Sequence, residues 1–116
     1  MGCAGSIEKD VGKFVNMKSD EIKEILIDES GRLRIYPSKE KFSMIWRSAT
    51  EVHWDVEGSF LYSPKPREWS YFDWYKRILG SIKSEYGYIL LLTKNTTWDN
   101  IPIYLKEEIV NYSADL

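Results

Sequence analysis

An alternating pattern of apolar and polar positions near the start of the chain predicts a β-hairpin. Residues 21–27 alternate loosely, and residues 32–36 alternate strictly, with Leu33 and Ile35 on the inner face. Between them, residues 28–31 carry Asp, Ser and Gly, which are the residue types that turns prefer. The two runs are therefore expected to pair as antiparallel strands.

The same pattern recurs in the middle of the chain and predicts a second hairpin. Residues 50–56 alternate, residues 57–59 have turn composition, and residues 60–62 form the return strand. The inner positions of the first strand are Val52, Trp54 and Val56, and its outer positions are Glu51, His53 and Asp55.

Two segments show the 3.6-residue period of amphipathic helices. The first is expected to begin at Ser38 as its N-cap, with an apolar stripe formed by Phe42, Ile45, Trp46 and Ala49. The second is expected over residues 69–85, where Ser70 and Asp73 have the spacing of a capping box and Gly87 marks the end.

The last third of the chain predicts a strand, a loop and a short helix. Residues 88–93 form a continuous apolar run, which is typical of a central strand buried on both faces. Residues 94–100 are expected to form a loop that carries Trp98. Asp99 or Asn100 is expected to cap a final helix, whose apolar positions are Leu105, Ile109 and Val110.

The order of these elements predicts an α+β fold. We expect a mostly antiparallel sheet of about five strands with two or three helices packed on one face. Residues 1–19 are weakly patterned and are expected to form a flexible arm or a frayed helix, and residues 20–116 a single globular domain.

Composition narrows the class of protein. The chain has 116 residues, a net charge of −2 and one cysteine, so a disulfide framework is excluded and a nucleic-acid partner is not expected. No apolar run approaches the ~20 residues that a membrane-spanning helix needs. The first 20 residues also lack the apolar core of a secretory signal. We therefore expect a cytoplasmic protein that does not engage a membrane.

Three polar residues on the second hairpin are the main candidates for chemistry. Glu51, His53 and Asp55 alternate along one strand and point to the same side, as ligands of a metal ion or a general base would. Their spread along the strand is wide for one tight site, so we interpret them as a solvated face and as weak pocket candidates. The chain has no nucleophile motif or phosphate-binding loop, and we expect no catalytic residues, no metal and no cofactor.

The strongest local signal is an excess of aromatic residues in one segment. The chain has 17 Phe, Trp and Tyr residues, and seven of them fall within residues 60–75. One helix face cannot bury them all, so the surplus belongs to the core, to a protein interface that includes self-association, or to a small-ligand groove. The binding candidates are Tyr62, Arg67, Trp69, Tyr71 and Trp74.

Four stretches of the chain resemble a group of small bacterial proteins encoded on integron gene cassettes. The stretches are GRLRIYP (31–37), EVHWD (51–55), SPKPREWSYFDWYKRI (63–78) and EYG (85–87). The resemblance implies a small, cytoplasmic, single-domain protein of unassigned function, and it supplies no catalytic motif.

Together these features predict a non-enzymatic binding protein. Its aromatic-rich surface is expected to contact a protein, in the first place another copy of itself as a homodimer or larger assembly. Two alternatives stay open. One is a small-ligand-binding protein or enzyme with an aromatic-lined pocket, and the other is a toxin-immunity-type protein.

Overall fold

A six-stranded β-sheet and two α-helices make up residues 18–114, the part of the chain that the computed structural model describes. The predicted α+β class is confirmed, while nearly all of the arm predicted for residues 1–19 lies outside the described residues. The elements are β1 (Lys18–Ile27), β2 (Leu33–Pro37), β3 (His53–Asp55), β4 (Phe60–Tyr62), α1 (Tyr71–Tyr86), β5 (Tyr88–Leu91), β6 (Thr97–Asp99) and α2 (Ile103–Ala114).

The sheet is mostly antiparallel, and its two hairpins are those that the sequence predicts. Its order is β3-β4-β2-β1-β5, with β6 also beside β1. The first turn closes through a hydrogen bond of 2.9 Å from the Gly31 amide to the Asp28 carbonyl oxygen. Gly31 has a φ of 81°, which only glycine adopts without strain. Neither helix of residues 18–114 is long and apolar enough to cross a membrane.

The second hairpin is shorter than predicted. Glu51 has a φ of 63°, outside the range of a strand, so β3 begins only at His53. Val56 belongs to the turn and is 72% exposed, so its predicted place on the inner face is wrong. Val52 is buried and Trp54 packs against the core, as the alternation predicts.

The prediction of a central strand over residues 88–93 is wrong. β5 lies at the edge of the sheet, parallel to β1, and Leu91 is 45% exposed. The long strand β1 accepts both β5 and β6 along one edge, so Trp98, predicted to lie in a loop, is part of a strand. Thr96 lies between β5 and β6 and attaches this connection to β1, because its hydroxyl donates to the Ile22 carbonyl oxygen at 2.6 Å.

The helix predicted from Ser38 is also absent, and a single 3-10 turn, Ile45–Arg47, takes its place. The backbone amides of Lys39 and Glu40 donate to the Asp20 carboxylate at 2.9 Å, which ties the start of the segment to β1. A helix this short is marginal without tertiary support, and here tertiary contacts select an irregular chain. Phe42, Ile45 and Ala49 are buried as predicted, whereas Trp46 is 58% exposed.

The long helix is confirmed with its predicted signals at both ends. The Ser70 hydroxyl accepts from the Asp73 amide at 3.1 Å, and the Asp73 carboxylate accepts from the Ser70 amide at 3.0 Å. The bond from the Ser70 amide lowers the pKa of Asp73 below its ordinary value. Gly87 ends the helix in the left-handed conformation with a φ of 71°.

The core lies between the helices and one face of the sheet. Helix α2 buries Leu105 and Ile109, as the sequence predicts, while Val110 is 43% exposed. Fully buried core residues of the sheet and of α1 include Ile22, Ile25, Leu33, Ile35, Leu61, Tyr75, Ile78 and Ile82. The start of α1 is thereby held firmly against the sheet.

Candidate functional site

An open groove of about 660 Å³ lies where the loop after β4 meets the first turns of α1 and the residues that precede β3. The capping box at Ser70 fixes where the helix begins and therefore where the loop side chains stand. The lining residues are Thr50, Glu51, Pro64, Lys65, Arg67, Glu68, Trp69, Trp74 and Arg77.

Two indole rings form the apolar part of the groove. Trp74 lies on α1 and is only 7% exposed, whereas Trp69 precedes the N-cap and is 45% exposed. The ring centroids are 4.9 Å apart and the planes are tilted by 47°. Trp74 therefore supports Trp69 from within the fold and leaves much of the outer ring open to solvent.

Arg77 ties this helix face to the segment before β3. Its Nε and Nη2 atoms donate to the Thr50 carbonyl oxygen at 3.3 and 3.2 Å. Its guanidinium carbon lies 5.9 Å from the centroid of the Trp69 ring, within the range of a cation–π contact. Because arginine has five N–H donors, the guanidinium keeps further donors for another group.

The other charged residues of the groove make no ion pair within residues 18–114. Arg67 is exposed and has neither a hydrogen bond nor a carboxylate partner there, and the same holds for Glu68. The methylene groups of Lys65 lie against the first turn, so near that a Cβ at Gly31 would be 3.0 Å from them. Glu51 stands at the rim in its left-handed conformation.

The structure brings together Arg67, Trp69 and Trp74 of the five predicted binding residues, and adds Glu51 from the weaker candidates. Tyr71 points elsewhere, since its hydroxyl donates to the Gly31 carbonyl oxygen at 2.9 Å. Burial raises the pKa of Tyr71.

Tyr62, His53 and Asp55 lie outside the groove. The rings of His53 and Tyr62 stack with centroids 5.1 Å apart, and the Arg32 guanidinium lies 4.8 Å from the Tyr62 centroid. Asp55 serves the hairpin, because its carboxylate accepts from the Gly58 amide at 2.6 Å. Across residues 18–114 no group of three His, Cys, Asp or Glu side chains is arranged to hold a metal ion.

Sequence reasoning missed a cluster of charged residues at the first hairpin. The Asp28 carboxylate accepts from the Nε atoms of Arg32 and Arg34, each at 3.0 Å, and from the amides of Ser30 and Arg32, each at 2.9 Å. Burial alone would raise the pKa of Asp28, but these hydrogen bonds outweigh it and hold the pKa below its ordinary value. An Asp at the head of a turn with two arginines alternating after it was the signal available.

Several residues of the groove were also missed, among them Thr50, Lys65, Glu68 and Arg77. The position of Arg77 was within reach, because it lies three residues after Trp74 and neighbours it on a helix surface. The approach of Thr50 and Glu51 to the same place depends on a left-handed residue that no sequence pattern indicates.

Comparison with known proteins places the chain in a family. A sequence model described as "Integron Cassette Protein Hfx_Cass5" matches residues 20–96. A solved structure of the integron cassette protein Hfx_Cass5, from the mobile metagenome of the North West Arm sewage outfall, is 39% identical. The match covers 85% of this chain and 99% of that one, with a TM-score of 0.43. A comparison with curated proteins gave no match. The chain belongs to the Hfx_Cass5 family of integron cassette proteins, which confirms the resemblance seen in the sequence.

Proposed function

We propose that this integron cassette protein is a non-enzymatic binding protein that contacts another protein, in the first place a second copy of itself, through the groove at the start of α1. The observation that carries the proposal is that the exposed Trp69 ring lines the same groove as Arg67, whose guanidinium has no hydrogen-bond or ion-pair partner in residues 18–114. Tryptophan and arginine are among the residue types most enriched at the energetic centres of protein interfaces.

The construction of the groove supports this use. Trp69 is backed by Trp74 and flanked by Arg77, so its position is fixed before any partner arrives. A preorganised contact surface loses less side-chain entropy on binding than a flexible one. By contrast, nothing in the groove has the arrangement of a nucleophile with a base.

Sedimentation equilibrium of the full chain tests the proposal, with Trp69→Ala as the variant and Trp46→Ala as its matched control. Trp46 is 58% exposed, somewhat more than Trp69, and does not line the groove. We expect the wild-type chain to self-associate, Trp69→Ala to weaken association about tenfold or more, and Trp46→Ala to leave it unchanged. A wild-type chain that stays monomeric at millimolar concentration would contradict self-association.

A small-molecule ligand is the second candidate function. The observation in its favour is the volume of the groove, about 660 Å³, which lies within the ~300–1,000 Å³ typical of ligand pockets. A ligand that binds the folded chain and not the unfolded chain raises its melting temperature, by an amount that grows with the logarithm of the ligand concentration relative to its Kd. A thermal-shift screen in which hits depend on Trp69 would favour this candidate over a protein contact.

We also propose that the protein acts in the cytoplasm, since a chain with one cysteine forms no internal disulfide and does not require an oxidising compartment. Fractionation of a bacterium that expresses the full chain tests this expectation, and recovery outside the cytoplasm would overturn it.

A further inference from the structure

We infer that the groove selects protein segments in which an acidic side chain stands next to an apolar one. This inference rests on the proposed function and names the chemistry of the partner. It follows from the charge of the groove, from the availability of its arginines, and from the position of the indole ring.

The charge of the groove is opposite in sign to that of the whole chain. Three basic residues from two elements, Lys65, Arg67 and Arg77, line it together with two acidic ones, Glu51 and Glu68. The groove thus has an excess of one positive charge in a chain of net charge −2. An acidic partner segment is therefore favoured at this place over the rest of the surface, whose net charge is negative.

The basic groups are free to bind a carboxylate. No ion pair of the described residues includes Lys65, Arg67 or Arg77, although two carboxylates line the same groove. Arg77 is held in place by its bonds to a carbonyl oxygen, so its charge is not neutralised. A guanidinium matches a carboxylate with two parallel hydrogen bonds.

The apolar part of the groove accounts for the preference for an apolar side chain next to the acidic one. Trp69 lies beside the Arg77 guanidinium and leaves much of its ring exposed. A carboxylate on the arginines therefore brings the neighbouring side chain of the partner onto the indole. The two acidic residues of the lining disfavour a phosphate dianion, whose charge is twice that of a carboxylate.

Two peptides test the inference, both acetylated and amidated, with the sequences Ser-Glu-Leu-Glu-Ser and Ser-Gln-Leu-Gln-Ser. They are titrated into the full chain while the indole N–H signals of the five tryptophans are followed by NMR, assigned with single Trp→Phe variants. We expect the acidic peptide to shift the Trp69 and Trp74 signals and to bind at least about fivefold more tightly than its glutamine counterpart. Added salt should reduce this difference.

Three variants separate the charge from the contact surface. Arg67→Gln should remove most of the preference for the acidic peptide, and Arg67→Lys should keep part of it. Arg47→Gln, which changes an exposed arginine outside the groove, should leave the preference unchanged.

Equal affinity for the two peptides, failure of both to bind, or signal changes confined to other tryptophans would overturn the inference. So would an undiminished preference in Arg67→Gln. The effect of Trp69→Ala on self-association tests the proposed function separately, so the two failures are distinguishable.

Discussion

The two arginine-rich places on this molecule differ in how their charges are satisfied. At the first hairpin, Arg32 and Arg34 share the Asp28 carboxylate, which is 8% exposed and also accepts two backbone amides. In the groove, Arg67 has no partner in the described residues, and Arg77 donates only to a carbonyl oxygen. The hairpin arginines are thus paired within the fold, whereas the groove arginines keep unused donors beside an exposed aromatic ring.

Residue type alone therefore does not mark a binding site. Both places combine arginine with aromatic rings, since Arg32 lies over Tyr62 and Arg77 lies beside Trp69. A group whose hydrogen bonds are made within the fold contributes to stability, and one whose bonds are open can contribute to binding. We therefore expect substitutions at the hairpin to change folding, and substitutions in the groove to change association.

The largest effect is expected for Asp28→Asn. The change leaves two guanidiniums without their shared carboxylate and weakens the turn that the carboxylate holds. Since both arginines are partly exposed, we expect a loss of about 2–3 kcal/mol in the free energy of unfolding, less than for a fully buried pair. Urea denaturation measures this loss. A loss below ~0.5 kcal/mol, which is typical of a surface substitution, would contradict a stabilising role of the hairpin charges.

The same carboxylate gives a pH dependence of defined sign. The pKa of Asp28 is lower in the folded chain than in the unfolded chain, so its stabilisation is complete above the unfolded value of about 4. It is lost as the pH falls through the lower folded value. The difference in unfolding free energy between wild type and Asp28→Asn should therefore shrink steadily on acidification below about pH 4. A difference that stays constant down to complete acid unfolding would contradict this origin.

A middle effect is expected for Ser70→Ala, which removes one half of the capping box. Loss of an N-cap side chain costs about 1 kcal/mol, measurable by urea denaturation. Because this cap fixes the backbone directly after Trp69, the variant should also weaken association. Ser84→Ala, which changes an exposed serine near the other end of the same helix, should leave association unchanged. Identical association for the two variants would show that the cap does not position the groove.

The buried Tyr75 hydroxyl is a group whose removal should stabilise the fold, in contrast to the substitutions above. The Tyr75 hydroxyl is buried and makes no hydrogen bond of good geometry among residues 18–114. Ser113 lies near enough to oppose the rise in the pKa of Tyr75, but its own hydroxyl donates to the Ile109 carbonyl oxygen at 3.0 Å. Removal of the hydroxyl in Tyr75→Phe should raise the unfolding free energy by about 1 kcal/mol. Any loss of stability in this variant would contradict the absence of a partner.

The same tyrosine predicts a high-pH signature. Burial raises the pKa of Tyr75 to about 12, while the unfolded chain ionises near 10. Between these values the unfolded state releases its proton first, so wild type should lose stability relative to Tyr75→Phe as the pH rises. A constant difference across that interval would argue against burial of the hydroxyl.

The fold was predictable wherever local signals and tertiary contacts agree. Ser70, Asp73 and Gly87 predicted both ends of α1, and the turn around Gly31 predicted the first hairpin. The helix prediction for the segment after Ser38 was wrong because its first backbone amides donate to the Asp20 carboxylate, which is distant in sequence. The prediction of a central strand from residue 88 was wrong because an apolar run does not reveal which strands a segment pairs with.

The site was predictable only in part for the same reason. Arg67, Trp69 and Trp74 stood out because they lie close together along the chain. Thr50 lies beside them because the next residue, Glu51, has a left-handed backbone conformation. Tyr62 lies away from them because its position in the strand places its side chain on the other face of the sheet. Composition located the aromatic segment, but only tertiary structure divides it between groove, core and sheet.

The most direct test of the binding account is a dilution series of the full chain, followed through the five indole N–H signals in NMR spectra. If the groove is the contact surface, the signals of Trp69 and Trp74 move together as the chain associates, while that of Trp46, which is even more exposed than Trp69, stays in place. Association that moves the Trp46 signal and leaves the groove pair unchanged would contradict the account.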